Sequence, residues 1–305
     1  MKHGLTRREF GLMSLAMSAA VPGLSLAESL GSAGYTYPHL LVEPGELIGA
    51  VSPVETLRPI LDSEGIVLVD VRPREAFDAG HIRGARHLDP NAVVAEHSPV
   101  GGSLRSTPEI EALLSDLGVA TDRRIIFYDD RGGFHAARMF WLLEYLGHQN
   151  VALLNGGFTA WQAANGPITQ MSEGHDSATF QAAPSPRRFA TADFVLDRRA
   201  DPAHVLIDVR PTGIFEKGHI PWAVSIPWAQ NLDGDKRFLP ADDLRAHFEE
   251  QGVTPDRSVT MHCENGLASA HSYVALRLLG YPRVRVYHRS WAEWGSDPSL
   301  PKAVS

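Results

Sequence analysis

Cysteine is the scarcest residue: one, Cys263, among 305. A single thiol cannot close a disulfide within its own chain, so no disulfide framework holds this fold. There is no long Lys/Arg run, and a formal charge of -8 with a pI near 5.9 argues against an electrostatic nucleic-acid binder. No "GxGxxG" or phosphate loop occurs, so no nucleotide cofactor is expected. The 14 histidines are scattered, without a close pair at ligand spacing joined by cysteines, so no metal is expected either. What is present is ordinary for a globular chain, 44% apolar and 21% charged, and the length suggests about two domains.

The N-terminus carries the one marked composition shift. Residues 1–27 place Arg7 and Arg8 before an apolar run from Gly11 to Ala20, followed by small residues up to Ala27. That order reads as a cleaved export signal, and "TRREF" resembles the twin-arginine class that carries folded proteins into the bacterial periplasm. The alternative is a membrane anchor. The run is shorter than the roughly 18 to 20 residues a span requires and is broken by Ser14 and Ser18, so no membrane association is expected after cleavage. Export sharpens the significance of the thiol, since exported proteins meet oxidants and usually pair their cysteines. An unpaired one is either a buried, inert hydrophobe or a group retained for chemistry.

The chain repeats itself. "VLVDVRPREAFDAGHIRGA" at 67–85 matches "VLIDVRPTGIFEKGHIPWA" at 205–223, and "LGHQNVALLNGGFTAW" at 146–161 matches "LGYPRVRVYHRSWAEW" at 279–294. Apolar runs suited to buried parallel strands open the copies, and "RIIFYD" and "SVTMHC" supply later strands. Helical spacing follows through Phe140 and Leu143 in one copy and Ala270, Val274 and Leu278 in the other, with Gly147 and Gly280 at the stops. The pattern predicts an α/β fold of two tandem domains, each a mostly parallel sheet flanked by helices. The N-terminal domain is expected over 40–165 and the C-terminal one over 189–300. The polar stretch 166–188 between them reads as a linker laid along the surface. Residues from Glu28 to about Pro38 read as an irregular lead-in.

Cys263 ends a buried strand and precedes a helix. Ligands in open α/β sheets bind beyond the carboxyl ends of the strands, and a helix N-terminus offers free N–H groups and partial positive charge that favour a thiolate. If Glu264, Asn265, Gly266, Leu267, Ala268 and Ser269 curl around the sulfur, their amides make an anion cradle, with Gly266 permitting the tight curl. The tandem "DVR...GHI" copies, the endings "NGGFTAW" and "RSWAEW", and a lone cysteine in the second copy together resemble the two-domain rhodanese sulfurtransferases. The resemblance spans roughly residues 40–300. It implies that only the C-terminal domain bears the nucleophile, and Asp129 in "YDDRGGFHAA" indeed stands where Cys263 stands in "HCENGLASA". It also implies double displacement: a small donor such as thiosulfate or 3-mercaptopyruvate leaves a persulfide on Cys263, and a thiophilic acceptor, cyanide or a small or protein thiol, removes it.

The active loop departs from the family pattern. Ala268 stands where a hydroxyl or arginine is usual, Glu264 and Asn265 where thiosulfate-using members often have basic residues, and Thr159 where "GGF" is commonly followed by arginine. Arg72 and Arg210, in the paired "DVR" segments, are candidate anion contacts, although repeated charges of this kind more often brace a scaffold. His81 and His219 read as turn-stabilising for the same reason, and Glu264 as pointing to solvent, since a carboxylate beside the sulfur would oppose its ionisation. Two rivals remain. A cysteine phosphatase needs an arginine where Ser269 stands, whereas a periplasmic sulfur carrier or binding module with little turnover is compatible with the missing basic residues. The first segment generates a direct expectation: intact mass of the exported protein should correspond to residues 28–305, and a retained N-terminus would refute the signal reading.

Overall fold

The computed structural model describes residues 34–49, 61 and 64–305. The expected export segment, residues 1–27, lies outside them. Runs such as Ile66–Asp70 and His204–Asp208 are buried at every position, which is what a parallel strand covered on both faces requires. In the N-terminal half the strands are β1 (Leu41–Val42), β2 (Ile66–Asp70), β3 (His81–Ile82), β4 (Arg86–His87), β5 (Arg124–Tyr128), β6 (Val151–Leu154) and β7 (Ile168–Thr169). In the C-terminal half they are β8 (Phe189–Ala190), β9 (His204–Asp208), β10 (Ala223–Ser225), β11 (Ser258–His262) and β12 (Val284–Tyr287).

Two parallel five-stranded sheets result, in the orders β1-β6-β5-β2-β4 and β8-β12-β11-β9-β10. The orders correspond strand for strand, so the sequence repeat is a structural repeat. In each sheet the strand that precedes the Asp129 or Cys263 loop is central, and the helix after that loop returns over the sheet. Those helices, Ala136–Tyr145 and Leu267–Leu278, are buried almost all round because each lies between its own sheet and the other domain. Among the described residues no helix is long and apolar enough to cross a membrane.

The recurring "DVR...GHI" has a structural cause. Asp70, at the end of β2, grips Arg72 two residues on (Nη2 to Oδ2 2.6 Å), and Arg72 donates onward to the carbonyl of Gly80 at 2.7 Å. Asp208, Arg210 and Gly218 repeat this at 2.6 and 2.7 Å. The next histidine turns back on its own helix: His81 Nδ1 lies 2.9 Å from the Phe77 carbonyl and stacks on that ring, and His219 does the same with Phe215 at 3.0 Å. The turn-stabilising reading of both histidines is what the structure contains.

The segment expected as a linker is bound along its length to the N-terminal domain. It begins as β7, antiparallel to β3, buries Phe180, and ties back through the amides of Ala178, Ala182, Ala183 and Ser185. The end of the lead-in crosses to the other domain, where Tyr37 N–H donates to the Leu278 carbonyl (3.1 Å), Thr36 Oγ1 to Leu279 (3.0 Å) and Tyr35 Oη to Leu239.

Removing one partner of a buried ion pair leaves the other charge uncompensated. Asp70→Asn and Asp208→Asn should therefore each cost about 3 to 5 kcal/mol in urea unfolding at pH 7; a change under about 0.5 kcal/mol, typical of an exposed surface site, would show that these pairs are dispensable.

Candidate active site

Cys263 follows the last residue of β11 and is only 2% exposed. The chain then turns through Gly266, whose φ of +88° is the left-handed region open to glycine, into the helix Leu267–Leu278. An added Cβ at Gly266 would meet the His288 ring and, at 2.6 Å, its carbonyl oxygen, so the position needs glycine for its conformation and for its space. The curl brings the Gly266 N–H to 3.1 Å from Sγ, with Ser269 Oγ at 3.6 Å and Ser290 Oγ at 4.0 Å.

The repeated ending "RSWAEW" braces this loop from outside. Cys263 N–H donates to Ser290 Oγ (3.0 Å), the Cys263 carbonyl accepts from Trp291 N–H (3.1 Å), and the Glu264 carbonyl from Ala292 N–H (2.9 Å). Phe158 N–H makes the matching bond to the Asp129 carbonyl in the first copy, at 2.7 Å. There Gly157 holds the left-handed position (φ +57°) that Ser290 holds in the second (φ +51°). A non-glycine residue at positive φ that sets its hydroxyl on the thiol loop marks Ser290 as part of the site. The sequence signal for it is the Gly-to-Ser change between the two aligned endings.

Glu264 is exposed, its side chain 58% accessible, and its carboxylate is 3.6 Å from Arg210 Nη1. Asn265 is half-buried, Leu267 half-buried, and Ala268 and Ser269 are buried. The two candidate anion contacts require correction. Arg72 is held by Asp70 and Gly80 with its guanidinium 3.7 Å over the Phe158 ring, all within the N-terminal domain. Arg210 is held by Asp208 and Gly218, lies over Trp291, and reaches the loop only through Glu264. Both are bracing residues, for the physical reason that a buried carboxylate two positions away already takes their charge.

The cation near the sulfur comes from the other domain and was not among the residues expected from sequence. Arg138, on the helix Ala136–Tyr145, is 1% exposed. Its Nη2 donates to the Gly102 carbonyl at 2.7 Å, and His288 Nε2 lies 2.6 Å from the same oxygen. With Nε2–H as that second donor, His288 is neutral, in keeping with a pKa pushed down to about 3 by burial and then by Arg138. Arg138 itself is lowered to about 10 by burial, with Cys263 acting in the opposite sense. Arg138 Nε and His288 Nδ1 are buried without a partner.

Gly102 also closes the site. It has a φ of +79°, and a Cβ there would lie 2.6 Å from the Asn265 carbonyl oxygen. It also lines, with Asp89, Val94, Gly101 and Arg105, an open cleft of about 550 Å³.

The first copy builds the same kind of cradle and fills it permanently. Asp129 accepts from the N–H groups of Arg131 (2.8 Å), Gly133 (2.9 Å), His135 (2.7 Å) and Ala136 (3.1 Å). Backbone amides at this strand–helix turn therefore hold an anion, here an internal carboxylate that cannot accept sulfur.

The comparisons with known proteins agree with this geometry. A model of the rhodanese-like domain matches residues 53–164 and again 191–297. A thiosulfate sulfurtransferase of Azotobacter vinelandii is 32% identical over 270 residues, covering 86% of this chain and 96% of that protein. The sulfur carrier protein TtuD of Thermus thermophilus is 30% identical, over 88% of this chain and 98% of its own. Among solved structures, SseA of Escherichia coli, a 3-mercaptopyruvate sulfotransferase with the rhodanese fold, superposes with a TM-score of 0.73 at 27% identity, covering 83% of this chain and 98% of that one. With both halves matched and the sheet order repeated, the chain belongs to the rhodanese-like family as a tandem of two such domains.

Proposed function

We propose that this protein is a sulfurtransferase that moves sulfane sulfur from a small anionic donor, of the thiosulfate or 3-mercaptopyruvate type, to a thiophilic acceptor through a persulfide on Cys263. The observation that carries the reading is the 3.1 Å bond from Gly266 N–H to Sγ in a curl at the carboxyl end of a central parallel strand. Such a curl stabilises charge on sulfur without a base of its own. Attack of the thiolate on the outer sulfur of thiosulfate forms the Cys263 S–S bond, and the old S–S pair leaves with sulfite. From 3-mercaptopyruvate the C–S pair stays on carbon, which takes the thiol proton and leaves as pyruvate. An acceptor nucleophile then attacks the terminal sulfur and regenerates the thiolate. Export through the Arg7–Arg8 segment would place this chemistry in the bacterial periplasm, with a small or protein thiol as acceptor.

The second reading, a sulfur carrier with little turnover, is favoured by one specific observation, the near-complete burial of the thiol. The phosphatase reading has no support at the arginine position, where Ser269 is buried and turned to Sγ.

Thiosulfate or 3-mercaptopyruvate without acceptor should add one sulfur atom to the intact mass of the protein, and Cys263→Ser should add none. With excess cyanide an enzyme turns over many times and a carrier discharges once. Unchanged mass with both donors would sink both sulfur readings together. Gly266→Ala should load at least about 100-fold more slowly, because the strained curl and the His288 contact displace the N–H from sulfur; loading at the parent rate would show that the curl is not what activates the thiol.

A further inference from the structure

A guanidinium removed from water requires a counter-charge or a full set of acceptors. Arg138 has neither in the ordinary sense. It is 1% exposed, it forms no ion pair with a carboxylate among the described residues, its Nη2 meets only the Gly102 carbonyl at 2.7 Å and, more distantly, His288 Nε2 at 3.4 Å, and its Nε is unpartnered. Of the other buried arginines, Arg72 and Arg210 each hold an aspartate at 2.6 Å and Arg86 donates to the Leu117 carbonyl, while half-buried Arg277 holds Glu144 at 2.9 Å. What Arg138 faces instead is the thiol loop. It shares the Gly102 carbonyl with His288, whose other ring edge lies against Gly266, the residue whose N–H is on Sγ.

We propose that Arg138, delivered by the N-terminal domain, is the counter-ion of the Cys263 sulfur as thiolate and as persulfide, so that the site is complete only when the two domains are docked. The proposal rests on the reading of Cys263 as the reactive sulfur. It accounts for the neutral or acidic character of Glu264, Asn265, Ala268 and Thr159, since the positive charge enters from across the interface. It also gives the cysteine-free domain a chemical role. Arg138 stays charged throughout and forms no covalent bond; it acts by position.

The other titratable groups around the sulfur leave its ionisation legible. His288 is neutral, and burial lowers His262 beneath the loop, His271 on the next helix (to about 4) and His135 beside Asp129. Arg210 and Glu264 form a pair on the outer flank, and Asp129 is bound by its four amides. Above about pH 7 the histidines contribute no change of charge.

The test is the pH dependence of Cys263 alkylation by iodoacetamide in the full chain. Arg138→Gln, which can still donate to the Gly102 carbonyl, should move the midpoint of the rate profile up by about one pH unit, making alkylation at pH 7 about tenfold slower. Arg138→Lys should restore most of the shift. A change in access alone scales the rate at every pH and leaves the midpoint in place, so superimposable midpoints for parent and Arg138→Gln overturn the proposal. Should Arg138→Gln fail to fold, Cys263→Asp and Cys263→Asn decide. A carboxylate there supplies Arg138 with a permanent partner, so the Asp variant should melt higher than the Asn variant, and the reverse order overturns the proposal. No sulfur donor enters these measurements. Equal midpoints with normal persulfide loading would therefore sink only the role of Arg138, and a shifted midpoint without loading only the sulfurtransferase reading.

Discussion

The helices Ala136–Tyr145 and Leu267–Leu278 pack against each other across the domain boundary, and everything at the site depends on that seam. Each is the helix that follows the strand–turn cradle of its own domain. Docking the pair therefore sets the Asp129 loop and the Cys263 loop at the same interface. Glu144, 1% exposed, fixes the register by accepting from Arg277 Nη2 (2.9 Å) and Nε (3.0 Å) and from the Tyr273 hydroxyl, all on the opposite helix. A buried carboxylate with this many charge-assisted partners tolerates little sliding. Two turns earlier on the same helix, Arg138 is held at the thiol loop by the same docking.

Duplication of one fold explains how a chain with a single thiol can have two nearly identical cradles. In both, a strand end and a helix start leave backbone N–H groups that favour negative charge. The N-terminal copy satisfies them internally with Asp129 and becomes rigid. The C-terminal copy leaves its cradle to a sulfur atom, the group that the proposed function loads and discharges. The second difference lies in the bracing ending, where Gly157 gives way to Ser290, whose hydroxyl accepts from the Cys263 amide at 3.0 Å and donates to the Tyr287 carbonyl at 2.8 Å, 4.0 Å from Sγ. The same architecture thus holds a carboxylate in one half and a thiol in the other, decided by a few side chains.

Much of this was legible in the sequence because it is local or repeated. Continuous apolar runs gave buried parallel strands, "DVR" gave an Asp–Arg hook two residues long, and a glycine three residues after the cysteine gave the curl. Glu264 points outward, as the charge argument required, with Arg210 beside it. What escaped is non-local. Arg138 lies 125 positions before Cys263 with no motif to single it out, and it is buried between Gly102 of its own domain and His288 of the second. Gly102 sits in a loop without periodicity, and His288 carried no spacing relation to Cys263 until β12 was placed beside β11. For Arg72 and Arg210 the sequence left anion contact open beside the commoner bracing role, and the fold decides between them, because Asp70 and Asp208 hold both guanidinium groups.

The burial of Cys263 follows from the same contacts and bears on how a donor could reach it. Gly102 offers one carbonyl oxygen to two donors, Arg138 Nη2 and His288 Nε2, in the place where an anionic oxygen would be held. Its backbone lies close enough to Asn265 that a side chain at 102 would collide with the Asn265 carbonyl. A donor that reached Sγ from this side would part this oxygen from its two partners and supply oxygens of its own. An anion returns both hydrogen bonds and adds a charge opposite Arg138, whereas a neutral molecule of the same size returns less than it displaces. On the role proposed for Arg138, such a strap would discriminate by charge, since the same guanidinium would favour an anionic sulfur donor over water or an uncharged thiol.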